Sequence, residues 1–425
     1  MKKTSFLLFF LLIVICVQTF AQYDAPLYTP YTKRAERIKM NELIIKNVIT
    51  KNLTYPLTED TEENWQDAFN AMEVYLFSTP FTTLKIKDAF DSASKRSTDF
   101  KRALLEVVYT LYPEKFNQPV FRIMEQTNNP RIFAMGAEYL MLSEKDHNLL
   151  HEIPKLMAQN FNEDVFINPT LFMLHERLKG RDKKHIIKTG EVLKEILKKS
   201  FLAGKPVMYS FQRPNRDYPG LTIFRNAAGN FVADSLGNII SFPQLARSIT
   251  NLPFYLRNGN TPQGIYSLYG FGVSMSNFIG PTANVQMGMP FELSLKKFFN
   301  DSSIIDSVWT IENYRELLPP KLQYYQPLFG SFYAGMIGRN EIIVHGTTVD
   351  PELYATKPYY PLTPTMGCLT TKEIWDGRRI ESDQQQLVNA LLKSGGSNGY
   401  TVVIEIEDKN GAVKLEEIIP YLNPE

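Results

Sequence analysis

The sequence predicts an α+β multidomain protein: an N-terminal all-α domain, HEAT-like or an irregular helical bundle, followed by a β-rich domain with a few helices attached. Apolar residues recur at helical spacing from about residue 32 to 200. From Gly204-Lys205-Pro206 onward, short β-favouring runs alternate with turn residues. A chain of 425 residues is also long enough for two or three domains with buried cores. With 44% apolar and 21% charged residues, it lacks the composition of a disordered chain. Its 46 Lys and Arg against 45 Asp and Glu provide no basic excess to neutralise phosphates, so no nucleic-acid partner is expected.

The chain opens with Lys2 and Lys3, an apolar run from Phe6 to Val17, and Thr19-Phe20-Ala21 as a small-residue cleavage site. Residues 1–21 therefore read as a secretory signal, the alternative being an uncleaved anchor, and the mature chain starts near Gln22. No later stretch reaches 18 apolar residues, so no transmembrane segment is expected after cleavage, and the expected location is the periplasm or cell envelope.

Residues 22–203 form the expected helical domain. Arg37, Met40, Ile44 and Val48 share one spacing, and Trp65, Phe69, Met72 and Leu76 repeat it before Pro80. Asn129 caps a helix with Pro130 at its first position, and the small residues within it permit close packing. Residues 204–425 form the β-rich domain. Strands are expected at Leu221–Phe224, Asn230–Ala233, Ile239–Phe242, Ile342–Val344 and Tyr400–Ile406. Asn410-Gly411 predicts a hairpin leading into Ala412–Ile419, and a helix is expected over Asp383–Lys393, with Ser382 as cap and Gly395-Gly396 as stop.

Removal of the signal takes away Cys16 and leaves Cys368 as the lone cysteine, so no intramolecular disulfide can form. Of the five histidines, only His345 lies in the β-rich half. A thiol attacks as thiolate, and a histidine that accepts its proton supplies the activation. Thr370-Thr371-Lys372-Glu373 fits a capping box, which predicts a short helix whose positive end would favour the thiolate. Gly367 permits close approach, and the N–H groups of Gly367 and Cys368 are candidates to face an oxyanion.

Other motifs carry less. His147 and His151 stand four apart, but Asn148 replaces the glutamate of a zinc-protease motif, and a solvated helix face accounts for the pair. Ser92-Ala93-Ser94-Lys95 matches Ser-x-x-Lys without its partner motifs. The basic cluster from Arg181 through Lys199 reads as an exposed amphipathic helix or a contact for anionic envelope polymers.

His345-Gly346-Thr347 followed by Thr365-Met366-Gly367-Cys368-Leu369-Thr370 resembles the signature of L,D-transpeptidase catalytic domains, in which His-Gly precedes Ser/Thr-His-Gly-Cys. Upstream, Thr261-Pro262-Gln263-Gly264-Ile265-Tyr266 is similar to the Thr-Pro-x-Gly-x-Tyr/Phe segment of the same family. The resemblance covers roughly residues 240–380 and implies an L,D-transpeptidase-like catalytic domain with Cys368 as nucleophile, His345 as base and backbone near Gly346 orienting the imidazole. It implies peptidoglycan stem peptides as substrates and a thioester intermediate, with transfer to an amine or hydrolysis as the outcome. Met366 occupies the place of the family's second histidine, so substrate recognition is expected from Thr365 and Met366 together with Arg378, Arg379 or the loop tyrosines Tyr354, Tyr359 and Tyr360. No metal or organic cofactor is implied, since thiol acyl transfer needs none. The helical half is expected to position the enzyme, with an envelope protein as its candidate partner. A non-catalytic envelope scaffold is the alternative from another class.

Overall fold

A computed structural model describes residues 30–143, 147–180, 187–274, 276–305 and 308–422. The expected signal peptide, His185, the side chain of His147 and the first part of the basic cluster lie outside the described residues. Among the described residues no helix is long and apolar enough to cross a membrane, and no group of three or more His, Cys, Asp or Glu is placed to hold a metal ion.

The first part is helical: α1 (Arg34–Ile44), α2 (Glu62–Val74), α3 (Pro80–Ser92), α4 (Thr98–Leu111), α5 (Asn117–Gln126), α6 (Pro130–Leu140), α7 (His147–Phe161) and α8 (Pro169–Gly180). Their ends follow the capping chemistry in the sequence. Thr79 accepts the Thr82 N–H ahead of Pro80, and Asn129 Oδ1 accepts from Arg131 and Ile132. In α6, Gly136 lies where a β-carbon would come within 2.5 Å of Met124 Cγ, so the missing side chain lets α5 and α6 pack closely. Ser92 ends α3, and Ala93–Lys95 continues as a single 3-10 turn.

The second part is built on a sheet of β1 (Val207–Gln212), β2 (Gly220–Arg225), β3 (Ser241–Gln244), β4 (Gly264–Gly272), β5 (Asn284–Gly288), β6 (Val344–His345), β7 (Leu369–Thr370) and β10 (Gly399–Glu405), in the order β3-β2-β1-β10-β4-β5-β6-β7. A separate ribbon pairs β8 (Glu373–Trp375) with β9 (Arg379–Ser382). The main sheet nearly closes on itself. Leu245, just past the outer edge of β3, exchanges backbone hydrogen bonds with Thr370 of β7, at 2.8 and 2.9 Å. Both faces of the central strands are covered. Val207, Tyr209 and Phe211 pack into one core with α9 (Thr189–Ile196), while Met208 and Val403 pack into another with α10 (Asp383–Ser394).

Several expectations change. The Asn230–Ala233 run forms only isolated bridges, and the strand near Ile239 starts at Ser241. No strand follows Asn410-Gly411: residues 415–421 form 3-10 turns. The partner strand β10 already has β1 on one side and β4 on the other, leaving no edge for a hairpin. Arg213 holds the returning chain instead, donating to the carbonyls of Glu407, Gly411 and Ala412 and pairing with Glu417 at 2.6 Å.

The change from helix to strand falls near residue 204, but the cores divide differently. The last helix of the first part, α9, belongs to the sheet's core, whereas Leu252, Tyr255 and Leu256 from the β-rich half enter the helical core. There Tyr255 donates to the buried Glu138 carboxylate at 2.5 Å, which also pairs with Arg177. On the other flank, Arg37 donates to the carbonyl of Trp375 at 2.9 Å and Arg34 pairs with Asp350 at 3.1 Å. Tyr255→Phe removes a hydrogen bond to a charged group and is expected to lower stability by about 1–2 kcal/mol, read as a lower urea midpoint. An unchanged midpoint would mean that this bond does not couple the halves.

Candidate functional site

The parallel pairing of β6 with β7 sets the site. Val344 lies opposite Leu369 and His345 opposite Thr370, and the Leu369 N–H reaches the Ile343 carbonyl at 3.0 Å. Cys368 therefore stands beside Ile343, and side-chain alternation directs Cys368 and His345 to the same side of the sheet. Both line one cavity of about 190 Å³. Its far wall comes from the helical part, through Tyr31, Arg37, Asn41, Val74 and Tyr75.

His345 is buried, and its Nδ1 lies 2.8 Å from the Gly346 carbonyl oxygen. A carbonyl can only accept, so Nδ1 carries the proton and Nε2 is left as the basic nitrogen. Burial lowers the imidazole pKa to about 4 despite that hydrogen bond, so the ring is neutral across the physiological range. Gly346 is required for packing: a β-carbon there would lie 2.1 Å from an oxygen of Glu373, which sits beneath the His345-Gly346 backbone. That carboxyl is buried, accepts hydrogen bonds from Thr282 and Ser382, and has its pKa raised chiefly by desolvation.

Cys368 is half-buried. Its thiol donates to the Glu341 carbonyl at 3.5 Å, and the Ile343 backbone acts on it to favour the thiolate. Desolvation pushes the thiol pKa up to about 11, against the Ile343 N–H and the nearby Arg339 guanidinium, which favour the thiolate. No hydrogen bond joins Cys368 to His345 among the described residues. At rest the cavity thus holds a neutral thiol and a neutral imidazole.

Expected and observed arrangements differ at four points. No helix begins after Cys368: Leu369–Thr370 is a strand, Thr370 Oγ1 donates to the Thr363 carbonyl at 2.8 Å, and Glu373 turns into the core rather than back to a cap. The Gly367 N–H is not free to face an oxyanion, because it donates to Thr365 Oγ1 at 3.1 Å. Thr365 lines the cavity, but its hydroxyl also donates to the Cys368 carbonyl at 3.0 Å and so shapes the cysteine loop. Tyr360 bonds Glu352 and lines a neighbouring cavity, and exposed Arg378 lines neither cavity that holds the thiol. Met366 is 58% exposed and borders the thiol in both of those cavities. The Cys368 N–H has no acceptor among the described residues.

Sequence reasoning missed Arg339. Its guanidinium is buried and donates to the carbonyls of Phe254, Gly259 and Asn260. These acceptors are neutral, so no carboxylate cancels its charge. Desolvation lowers its pKa to about 10, which leaves it protonated at neutral pH. A β-carbon on Gly367 would lie 2.3 Å from this guanidinium and 2.8 Å from the Gly259 oxygen, at a φ of +121°. The Thr261 hydroxyl donates to the Gly367 carbonyl at 2.9 Å, which joins the two sequence elements that prompted the family resemblance. Gly338-Arg339-Asn340 reads as a turn in sequence, and only its placement six residues before His345 hints at the site.

Comparison with protein-family models, curated proteins and solved structures returns no match for this chain.

Gly367→Ala must move Arg339 or the Gly259 turn and also adopt a left-handed φ. The expected cost is about 2–4 kcal/mol, with a disordered cysteine loop, measured by thermal denaturation and thiol alkylation. A second measurement concerns protonation. Alkylation of Cys368 by iodoacetamide should climb about tenfold per pH unit from 7 to 10, because the thiolate is scarce below its raised pKa. A plateau across neutral pH would instead reveal a resting thiolate–imidazolium pair.

Proposed function

We propose that this chain is an exported cysteine acyltransferase of the L,D-transpeptidase type, acting on peptidoglycan stem peptides in the periplasm or cell envelope. The observation that supports it most is the shared cavity of Cys368 and His345, with Gly346 setting the imidazole tautomer and Thr261 bound to the nucleophile loop.

In this reading His345 Nε2 takes the thiol proton as sulfur adds to the carbonyl carbon of the bond between an L-centre and a D-centre. The Cys368 N–H, which has no acceptor among the described residues, is the backbone donor for the developing oxyanion, and the uncompensated charge of Arg339 adds electrostatic stabilisation. The C–N bond breaks, the leaving amine takes the proton from the imidazolium, and a thioester remains. An acceptor amine then attacks the thioester and the thiol is restored. Water in place of the amine gives hydrolysis on the same residues. The helical part serves as a positioning unit because it walls the cavity, with an envelope protein as its proposed partner.

Purified protein incubated with tetrapeptide-bearing muropeptides is expected to yield cross-linked, exchanged or trimmed products, with Cys368→Ala inactive. Product masses separate transfer from hydrolysis, since water releases the terminal residue without a new cross-link. Absence of all three products would overturn the proposal.

A further inference from the structure

Cys368 also lines a second cavity, of about 440 Å³, whose lining does not include His345. Four arginines line it: Arg102 and Arg131 from the helical part, and Arg257 and Arg339 from the β-rich part, with Glu341 as the only lining carboxylate among the described residues. The state of each charge decides what the cavity can attract. Arg102 is neutralised by the buried Glu106 at 2.7 Å and by Asp99 at 3.8 Å. Arg131 donates to the Ile337 carbonyl at 3.0 Å, a neutral acceptor that leaves its charge intact. Arg257 is exposed and makes no hydrogen bond or ion pair among the described residues, acting only at longer range on Glu106. Arg339 holds carbonyls alone. At least three guanidinium charges therefore remain uncancelled by a paired carboxylate, around a concave site where low-dielectric walls strengthen their field.

We infer that this cavity binds the C-terminal carboxylate of the peptide donor beside Cys368, and that the helical part contributes to the recognition through Arg131. Guanidinium groups suit a carboxylate because their N–H donors pair with both oxygens. The inference rests on the acyl-donor reading for the identity of the ligand, but the anion preference itself does not depend on turnover. It also gives the helical part a chemical role that its packing alone does not.

The test compares second-order rates of Cys368 alkylation by iodoacetate and iodoacetamide. Both react with the thiolate, so the thiol pKa cancels from their ratio, and what remains is the local attraction for a carboxylate. At low salt the ratio should exceed that of N-acetylcysteine by about fivefold, and 0.5 M NaCl should bring the two together. Arg257→Gln, whose guanidinium holds nothing in place, should lower the ratio by about twofold, and Arg131→Gln with Arg257→Gln by about threefold or more. A ratio equal to that of the free thiol, or one unmoved by salt and by Arg257→Gln, overturns the inference.

A second arm uses a tetrapeptide stem as protectant against iodoacetamide. The free-acid form should protect Cys368 and the C-terminal amide should not; equal protection overturns the assignment of the cavity to that carboxylate. Failure of the two proposals is distinguishable. An inert enzyme that keeps its iodoacetate preference loses the acyltransferase reading and keeps the anion site, whereas turnover that is indifferent to both arginine substitutions sinks the anion site alone.

Discussion

Arg339 places a full positive charge inside the protein and meets it only with the carbonyl oxygens of Phe254, Gly259 and Asn260. A buried ion without a counterion is costly unless its donors are satisfied, so the 254–260 turn has to present its carbonyls to that one group. Gly367 has to be glycine because the guanidinium occupies the space of its side chain. Thr261 then ties the Gly367 carbonyl to the start of the segment leading into β4. The position of the thiol follows from this chain of contacts, since Cys368 is the next residue.

The seam of the sheet explains why the site lies where it does. Leu245 and Thr370 join the two edges of a nearly closed sheet, and Cys368 precedes that junction by two residues. Long strands would bury the thiol in continuous ladder, but β6 and β7 are only two residues each, so the backbone on either side is free to turn and open cavities. The helical part closes over this opening from both flanks, with Arg37 reaching Trp375 and Tyr255 reaching back to Glu138. Its contribution is therefore part of the site and not merely attached to it.

Protonation in the site is governed by desolvation more than by pairing. Burial raises the thiol to about 11 and lowers the imidazole to about 4, so each group is held in its neutral form. A thiol held in this form is a weak nucleophile, because the thiolate is the reactive species. Arg339 opposes the desolvation of the thiol but does not overcome it.

Much of the local structure was legible in the chain because it depends on near neighbours. Asn129-Pro130, Thr79-Pro80 and Ser382 mark helix starts through bonds to residues two or three positions away, and the β runs at 221–224 and 400–406 carry their own propensity. Asn410-Gly411 misled because a hairpin needs a free sheet edge, and whether β10 has one is settled by strand order. Thr370–Glu373 misled for a related reason: the capping pattern was present, but parallel pairing with β6 and the burial of Glu373 outweighed it. By itself the sequence determined the helix-to-strand division, the lone cysteine and lone histidine of the β-rich half, and the glycines beside them. Only tertiary structure decided that Arg339 stands against Gly367, that the helical part walls the cavity, and that the thiol rests protonated, because charge, burial and proximity depend on residues scores of positions apart.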